Sequence, residues 1–141
     1  MNKKIYKSIT LVLLLAMLVS ITGCFRYKEK EYYANTDNFI SATGTVKHLS
    51  YRAEDNDLIL GFSDLTETFG FSSFVIADEN LQILINTEAL RLIYIGKTIS
   101  FISAPKCFSN GSALPIVSLT VDGKVLLDFE TGWKNLMKNY R

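Results

Sequence analysis

The first constraint on the fold is an apolar segment near the amino terminus that is too short to cross a membrane. Ile9 to Ile21 is 13 residues long, is interrupted only by Thr10 and Ser20, and follows three lysines. A helix rises about 1.5 Å per residue, so this segment reaches ~20 Å, whereas the hydrocarbon core of a bilayer is ~30 Å thick. The pattern predicts an export signal over residues 1–23. The 118 residues that remain are enough for one domain with one modest core.

The four residues that end this segment, Ile21-Thr22-Gly23-Cys24, resemble the lipobox of bacterial lipoproteins. In that family the cysteine thiol receives a diacylglyceryl group, and the signal is cut just before the cysteine. The resemblance implies that Cys24 is the lipidated first residue of a protein held on the extracytoplasmic side of a cell membrane. Two acyl chains anchor a protein stably, because each buried CH₂ contributes about 0.8 kcal/mol. The alternative is an ordinary secretory signal with Cys24 as a mature thiol.

The charge and composition of the chain exclude several function classes. It has 15 basic and 14 acidic residues, and residues 1–23 contain three of the lysines. A near-neutral body lacks the basic face that nucleic-acid binding needs. One histidine and two cysteines are a poor supply for a metal site or a histidine-based catalytic centre. We therefore expect no nucleic-acid partner, no cofactor and no enzymatic activity.

Residues 24–38 are predicted to be the lipidated cysteine and a polar tether. The segment has no sustained apolar periodicity, and it alternates Lys28, Glu29, Lys30 and Glu31. Such a composition is typical of a solvated linker. Because the two lysines are balanced by the two glutamates, a specific site for anionic lipids is not expected.

Residues 39–141 are predicted to form a single small β-rich domain. Short runs rich in Val, Ile, Thr, Phe and Tyr alternate with Gly, Asn and Asp, as is typical of β-structure. Gly44, inside the first run, suggests a bulge or a sharp coil of the strand. Asp122-Gly123 is a strong hairpin signal. The predicted strands cover residues 39–51, 58–62, 71–76, 98–103, 116–121 and 124–127.

Two helices are predicted in this domain. Asn80 is positioned to cap a short helix in which Leu81, Leu84 and Ile85 share a face. Near the carboxyl terminus, apolar residues recur at helical spacing over 131–140, which indicates an amphipathic helix lying on the sheet.

The order of these elements resembles the OB-fold, a small five-stranded barrel. The resemblance is carried by three strands, a short helix and further antiparallel strands, by the glycine-interrupted first strand, and by the entry Ile95–Ile99 to the fourth strand. It implies a mainly β fold with α elements: an OB-like five-stranded antiparallel barrel or half-barrel, a short helix between strands 3 and 4, and a C-terminal amphipathic helix. A β-grasp sheet gives a similar pattern.

Residues with chemical potential are few and isolated. His48 is interpreted as a partly exposed strand residue, because no nucleophile is evident beside it. Cys107 is the odd thiol if Cys24 is lipidated, and we interpret it as half-buried and inert. The cluster Glu54–Asp57 lacks the glycine and the distal glutamate of a calcium loop, so it is interpreted as a solvated turn.

The remaining candidates for ligand or partner contact are Tyr51, Arg52, Phe108 and Leu114. In OB-folds, ligands lie across the middle strands and the neighbouring loops, which the resemblance equates with the region after residue 51 and the loop 106–114. The first hypothesis is a non-enzymatic, lipid-anchored interaction module for another envelope protein. The alternative is a module that binds a glycan or a small solute on the cell surface.

Overall fold

The computed structural model describes residues 3–105 and 113–140, and within the first helix it describes the side chains of residues 8–16 and 27–34. Four α-helices and two short 3₁₀ helices lie in these ranges. The α-helices are α1 (Lys3–Ala34), α2 (Thr66–Phe69), α3 (Asp78–Asn86) and α4 (Phe129–Lys138), and the 3₁₀ helices are Thr36–Asn38 and Ala89–Leu92.

Seven strands in the same ranges form one open sheet. They are β1 (Ile40–Thr45), β2 (His48–Arg52), β3 (Asp57–Gly61), β4 (Ser73–Ala77), β5 (Thr98–Ser103), β6 (Leu114–Val121) and β7 (Lys124–Leu127). Their order is β1-β5-β6-β4-β3-β2, with β7 also paired to β6. The β4–β6 pair is parallel and the other pairs are antiparallel. Among the described residues no ladder joins β1 to β2, so the sheet is not a closed barrel.

The two outer strands of this path follow one another in the chain, with only Val46 and Lys47 between them. Between β1 and β2 the backbone stops pairing with β5 and begins to pair with β3. The Val46 N–H donates to the Lys97 carbonyl at 2.9 Å, and the Lys47 N–H donates to the Gly61 carbonyl at 2.8 Å. The strand predicted over 39–51 is therefore bent into two strands, and the bend lies after Gly44 rather than at it.

The core is built around four phenylalanines whose rings are in contact. Phe62, Phe69, Phe74 and Phe101 lie with centroids 4.9 to 6.1 Å apart, in stacked and edge-on arrangements. Burial of each such side chain stabilises the fold by about 1.5–3 kcal/mol. Gly44 lies directly against this cluster, since a Cβ there would be 2.8 Å from Cδ1 of Phe62. The glycine in the first strand thus permits close packing.

The buried side-chain amide of Asn80 joins helices α3 and α4. Asn80 is almost fully buried in α3; its Nδ2 donates to the Gly132 carbonyl at 3.1 Å, and its Oδ1 accepts from Nδ2 of Asn135 at 2.9 Å. The prediction that Asn80 caps its helix is wrong, because α3 already begins at Asp78. The polar side chain is retained in the interior because its partners on α4 satisfy it.

Helix α4 lies unusually close to β6. A Cβ at Gly132 would come 1.9 Å from the Val117 carbonyl oxygen, so no side chain fits between helix and strand at this point. The helix is capped by Asp128, whose carboxylate accepts from the Thr131 N–H at 2.9 Å. This hydrogen bond lowers the pKa of Asp128 below its usual value. The amphipathic C-terminal helix predicted over 131–140 is confirmed.

The small, β-rich body with short helices agrees with the fold predicted from the sequence. The OB resemblance implied five strands and the sequence pattern predicted six, whereas seven are present, because the first predicted strand is bent into β1 and β2. The OB-like barrel is not confirmed by the strand pairing.

Candidate functional site

The predicted lipidation residue, Cys24, lies within the backbone span of α1, and its side chain is outside the described residues. Lipidation therefore stays a prediction. Among the described residues, none of the helices combines the length and apolarity needed to cross a bilayer.

The last two turns of α1, residues 27–34, form a docking segment that packs against α4. Tyr33 is only 4% exposed, and Glu29, one turn earlier on the same face, is also buried. The indole Nε1 of Trp133 donates to the Tyr33 carbonyl at 2.8 Å. The Tyr140 hydroxyl donates to Oε2 of Glu29 at 3.3 Å. Two successive turns of the docking segment are thus held, one by Trp133 of α4 and the other by Tyr140, just beyond the end of α4.

Aromatic rings extend this contact into a continuous cluster. The Tyr33 ring lies 5.9 Å from the Tyr140 ring and 6.1 Å from the Phe39 ring, and Phe39 in turn lies 5.7 Å from Phe129. Partial burial at the same contact raises the pKa of Tyr32 above its usual value. Aromatic pairs at these distances add about 0.5–1.5 kcal/mol each beyond their buried area.

The local conformation of residues 27–34 therefore differs from the solvated tether predicted from composition. The segment is helical, and its buried face is made by one glutamate and one tyrosine. Glu29 is charged, and it lies within the alternating run Lys28–Glu31, so the segment shows no sustained apolar periodicity. The signal that was missed is the spacing of Glu29, Tyr32 and Tyr33 at i, i+3 and i+4, which places them on one helical face.

The candidate residues Tyr51 and Arg52 are the last two residues of strand β2 and belong to a hairpin tip formed by residues 51–57. The tip is stapled from within, because Arg52 Nε donates to Asp57 Oδ1 at 2.8 Å and a terminal guanidinium nitrogen donates to the other carboxylate oxygen. The hydrogen bond to Asp57 raises the pKa of Arg52. A weaker ion pair joins Arg52 to Asp55 at 3.4 Å. The Arg52 side chain therefore bonds within its own hairpin, whereas the Tyr51 side chain is 55% exposed.

The other two predicted contact residues do not join this surface. Leu114 is fully buried at the start of β6, where it pairs with Phe74 and belongs to the core, so its prediction as a contact residue is wrong. The physical reason is that Leu114 and Ile116 lie on the inner face of the strand. Phe108 and Cys107 lie outside the described residues.

A second candidate surface is the outer face of β1, β5 and β6, which we call the hydroxyl face. Register places Thr43 beside Ser100 and Ser100 beside Thr120, and the Thr43 and Ser100 hydroxyls are hydrogen-bonded at 2.9 Å. These side chains line an open groove of about 430 Å³ whose lining residues carry no charge. The hydroxyl face carries Ser41, Thr43, Thr45, Thr98, Ser100, Ser118 and Thr120, with Ile102 between Ser41 and Ser118, and Ala42, Phe101 and Ile102 add apolar atoms to the groove lining.

Groups suited to catalysis or metal binding are dispersed. His48 is exposed on β2, opposite Gly61, as expected for a strand residue. Within the part of the chain that the structure describes, no three His, Cys, Asp or Glu side chains come together as metal ligands.

Comparisons with protein-family models, with curated proteins and with solved structures found no match to this chain. Its function is therefore inferred from its own residues.

Proposed function

We propose that this chain is a lipid-anchored bacterial envelope protein without enzymatic activity, and that its β-rich body is an interaction module for another envelope protein. The export signal and the residues Ile21–Cys24 support the anchor. The observation that carries the proposal is the docking segment. It begins three residues after Cys24 and packs on the body, so the lipid and the folded domain are joined with little free chain between them.

The finer fold proposal is an OB-like half-barrel. Its support is that β1 and β2, at the two ends of the paired path, are consecutive and bend at Val46 and Lys47, which bond to different neighbours. Counted as one bent strand, they lie beside both β3 and β5. The parallel β4–β6 pair and the position of α3 between β4 and β5 also fit that topology.

Tyr51 is the residue that we propose contacts the protein partner. Its exposed ring stands on a hairpin held in one shape by the Arg52–Asp57 pair. Pre-ordered aromatic side chains make strong interface contacts, because little conformational freedom is lost on binding. Arg52 acts in this proposal as a positioning residue.

Site-specific photocrosslinking in native membranes tests this assignment. A benzophenone side chain replaces Tyr51 in one variant and Tyr94 in the matched control, because Tyr94 is a similarly exposed tyrosine at a distant turn. We expect one dominant envelope protein crosslinked from position 51 and several-fold less from position 94. Equal yields at the two positions, or none from position 51, would contradict the proposal.

A glycan-binding module is the second candidate function, and the groove on the hydroxyl face favours it. Neutral hydroxyls that line an open groove match the chemistry of a neutral polyhydroxylated ligand. Cell-wall glycan fragments are then expected to raise the melting temperature saturably, since a ligand that binds only the folded state stabilises it. Ser100→Ala weakens that shift in this hypothesis, whereas Ser63→Ala, at an exposed loop position, leaves it unchanged.

A further inference from the structure

The direction of the docking segment relative to α4 determines which end of the body lies toward the acylated residue. Tyr33, in the last turn of α1, contacts Trp133, and Glu29, one turn closer to Cys24, contacts Tyr140, just beyond the carboxyl end of α4. The two helices are therefore antiparallel. Followed back toward Cys24, the chain passes the carboxyl end of α4.

The length of chain between Cys24 and the docking segment is short. Cys24 precedes Tyr27 by three residues, which span about 10 Å even when fully extended. Along a continuous helix, Cys24 lies about 8 Å beyond Glu29. A free coil over residues 25–38 would instead have an average end-to-end distance of roughly 20 Å and an extended length of about 50 Å. Docking therefore replaces a long flexible linker by a short connection between Cys24 and the body.

The exposed charges near this end suit a lipid surface. Glu29 is turned into the body, whereas Lys28, Lys30 and Glu31 remain exposed, so the exposed part of this turn carries net positive charge. Lys138, in the last turn of α4, pairs with the exposed Glu79, so this pair adds no net charge and the excess positive charge comes from residues 28–31. The sequence suggested a balance of lysines and glutamates, and the helical arrangement removes that balance.

We propose that the docking segment fixes the body against the bilayer in one orientation, with the carboxyl end of α4 facing the phospholipid headgroups. This inference rests on the proposed acylation of Cys24. The start of β6 lies near the carboxyl end of α4, because Pro115 lines a small cavity together with Leu136. The other end of β6, where Val121 pairs with Lys124, then points away from the membrane. From Pro115 to Val121 the strand rises about 20 Å.

Two matched spin labels test the orientation in the acylated mature protein in vesicles of phosphatidylcholine and phosphatidylglycerol. The labels are attached through Lys138→Cys and Lys124→Cys in a Cys107→Ser background. Each substitution removes one lysine from an exposed position. A nickel-chelating lipid in the vesicles relaxes nitroxides that lie near the headgroups. We expect the label at position 138 to be relaxed several-fold more strongly than the label at position 124.

A third variant tests whether the short docked connection, and not acylation alone, fixes the orientation. An insertion of about twelve Gly and Ser residues between Arg26 and Tyr27 leaves the docking contacts intact but adds roughly 20 Å of flexible reach. With this insertion, relaxation at position 138 falls to the level at position 124. Equal relaxation of the two labels without the insertion, or no change on insertion, overturns the inference.

Mass spectrometry of the Cys24 peptide keeps this test distinct from that of the proposed function. An unmodified Cys24 in the membrane-derived protein overturns the anchor itself. An acylated Cys24 with equally relaxed labels leaves the anchor in place and overturns the fixed orientation alone. Thermal melts of each variant establish that the body is folded before the labels are compared.

Discussion

The hairpin tip and the docking segment both lie outside the main hydrophobic core, but they are held in different ways. The hairpin is stapled by Arg52 and Asp57, which are five residues apart. The docking segment is held by contacts that span 100 and 111 residues, from Tyr33 to Trp133 and from Glu29 to Tyr140. The hairpin therefore keeps its shape through local contacts, whereas the docking segment depends on the completed body. An exposed Tyr51 remains available to a partner, and Tyr33 does not.

Among the substitutions that test this comparison, Tyr33→Ala is expected to have the largest effect on stability. Removal of a buried aromatic side chain leaves a cavity and is expected to lower the free energy of unfolding by about 3 kcal/mol. Residues near Ala34 should also become accessible to limited proteolysis. The matched control is Tyr27→Ala, because Tyr27 is 66% exposed on the same segment and its loss is expected to change stability by less than about 0.5 kcal/mol. Equal effects of the two substitutions in urea denaturation would refute the docking contact.

The corresponding break in the hairpin is Asp57→Ala. Asp57 is buried, and its loss leaves the Arg52 guanidinium without its bidentate partner, so we expect a cost of about 2 kcal/mol. Asp55→Ala removes only the exposed, longer ion pair and is expected to cost under about 0.5 kcal/mol. The docking contacts should persist in both variants. If Asp57→Ala freed the docking segment as well, the two regions would not be independent.

A smaller effect is expected at the start of α4, the helix that receives the docking segment. Asp128→Ala removes the N-cap and should cost about 1 kcal/mol, whereas Asp128→Asn preserves the cap. Because the pKa of Asp128 is lowered in the folded state, its contribution is full above the unfolded-state pKa and is lost as the pH falls through the folded-state value. The asparagine variant should lack this component of acid sensitivity. Thermal melts across acidic pH measure the difference.

The smallest effect is expected for the ion pair of Lys97 with Asp122, which joins two turns far from both regions. Its nitrogen–oxygen distance is 2.6 Å, but the Asp122 side chain is largely exposed, so Asp122→Asn should cost less than about 0.5 kcal/mol. The hydrogen bond to Asp122 raises the pKa of Lys97, so the contribution is full below the unfolded-state pKa and disappears as the pH rises through the folded-state value. A cost above that of Asp57→Ala would reverse the ranking of exposed and buried pairs.

Features set by neighbouring residues were predictable from the sequence. Alternation along β5 and β6, the turn at Asp122-Gly123 and the helical spacing in α4 all depend on local geometry, and each is present. The same holds for the exposed Tyr51. Leu114 was also open to a correct assignment, because the alternation of Leu114 with Ile116 indicates an inward-facing residue.

Features set by distant residues were not predictable in this way. Asn80 has the residue type of a helix cap, but its buried position follows from amide and carbonyl groups on α4, more than 50 residues away. The docking of residues 27–34 likewise depends on partners near the carboxyl terminus. The bend at Val46 and Lys47 arises because one continuous strand must satisfy two different neighbours. The spacing of Glu29, Tyr32 and Tyr33 marks one face of a helix, but no window of a dozen residues shows which distant residues that face, Asn80 or the bend will contact.

The long separation between Tyr33 and Trp133 also sets the order in which the molecule is completed. Synthesis proceeds from the amino terminus at ~5–20 residues per second. The docking segment therefore emerges several seconds before α4, the surface it packs on, has been made. During that interval it has no docking site, so its contacts with Trp133 and Tyr140 form only after those residues have been made.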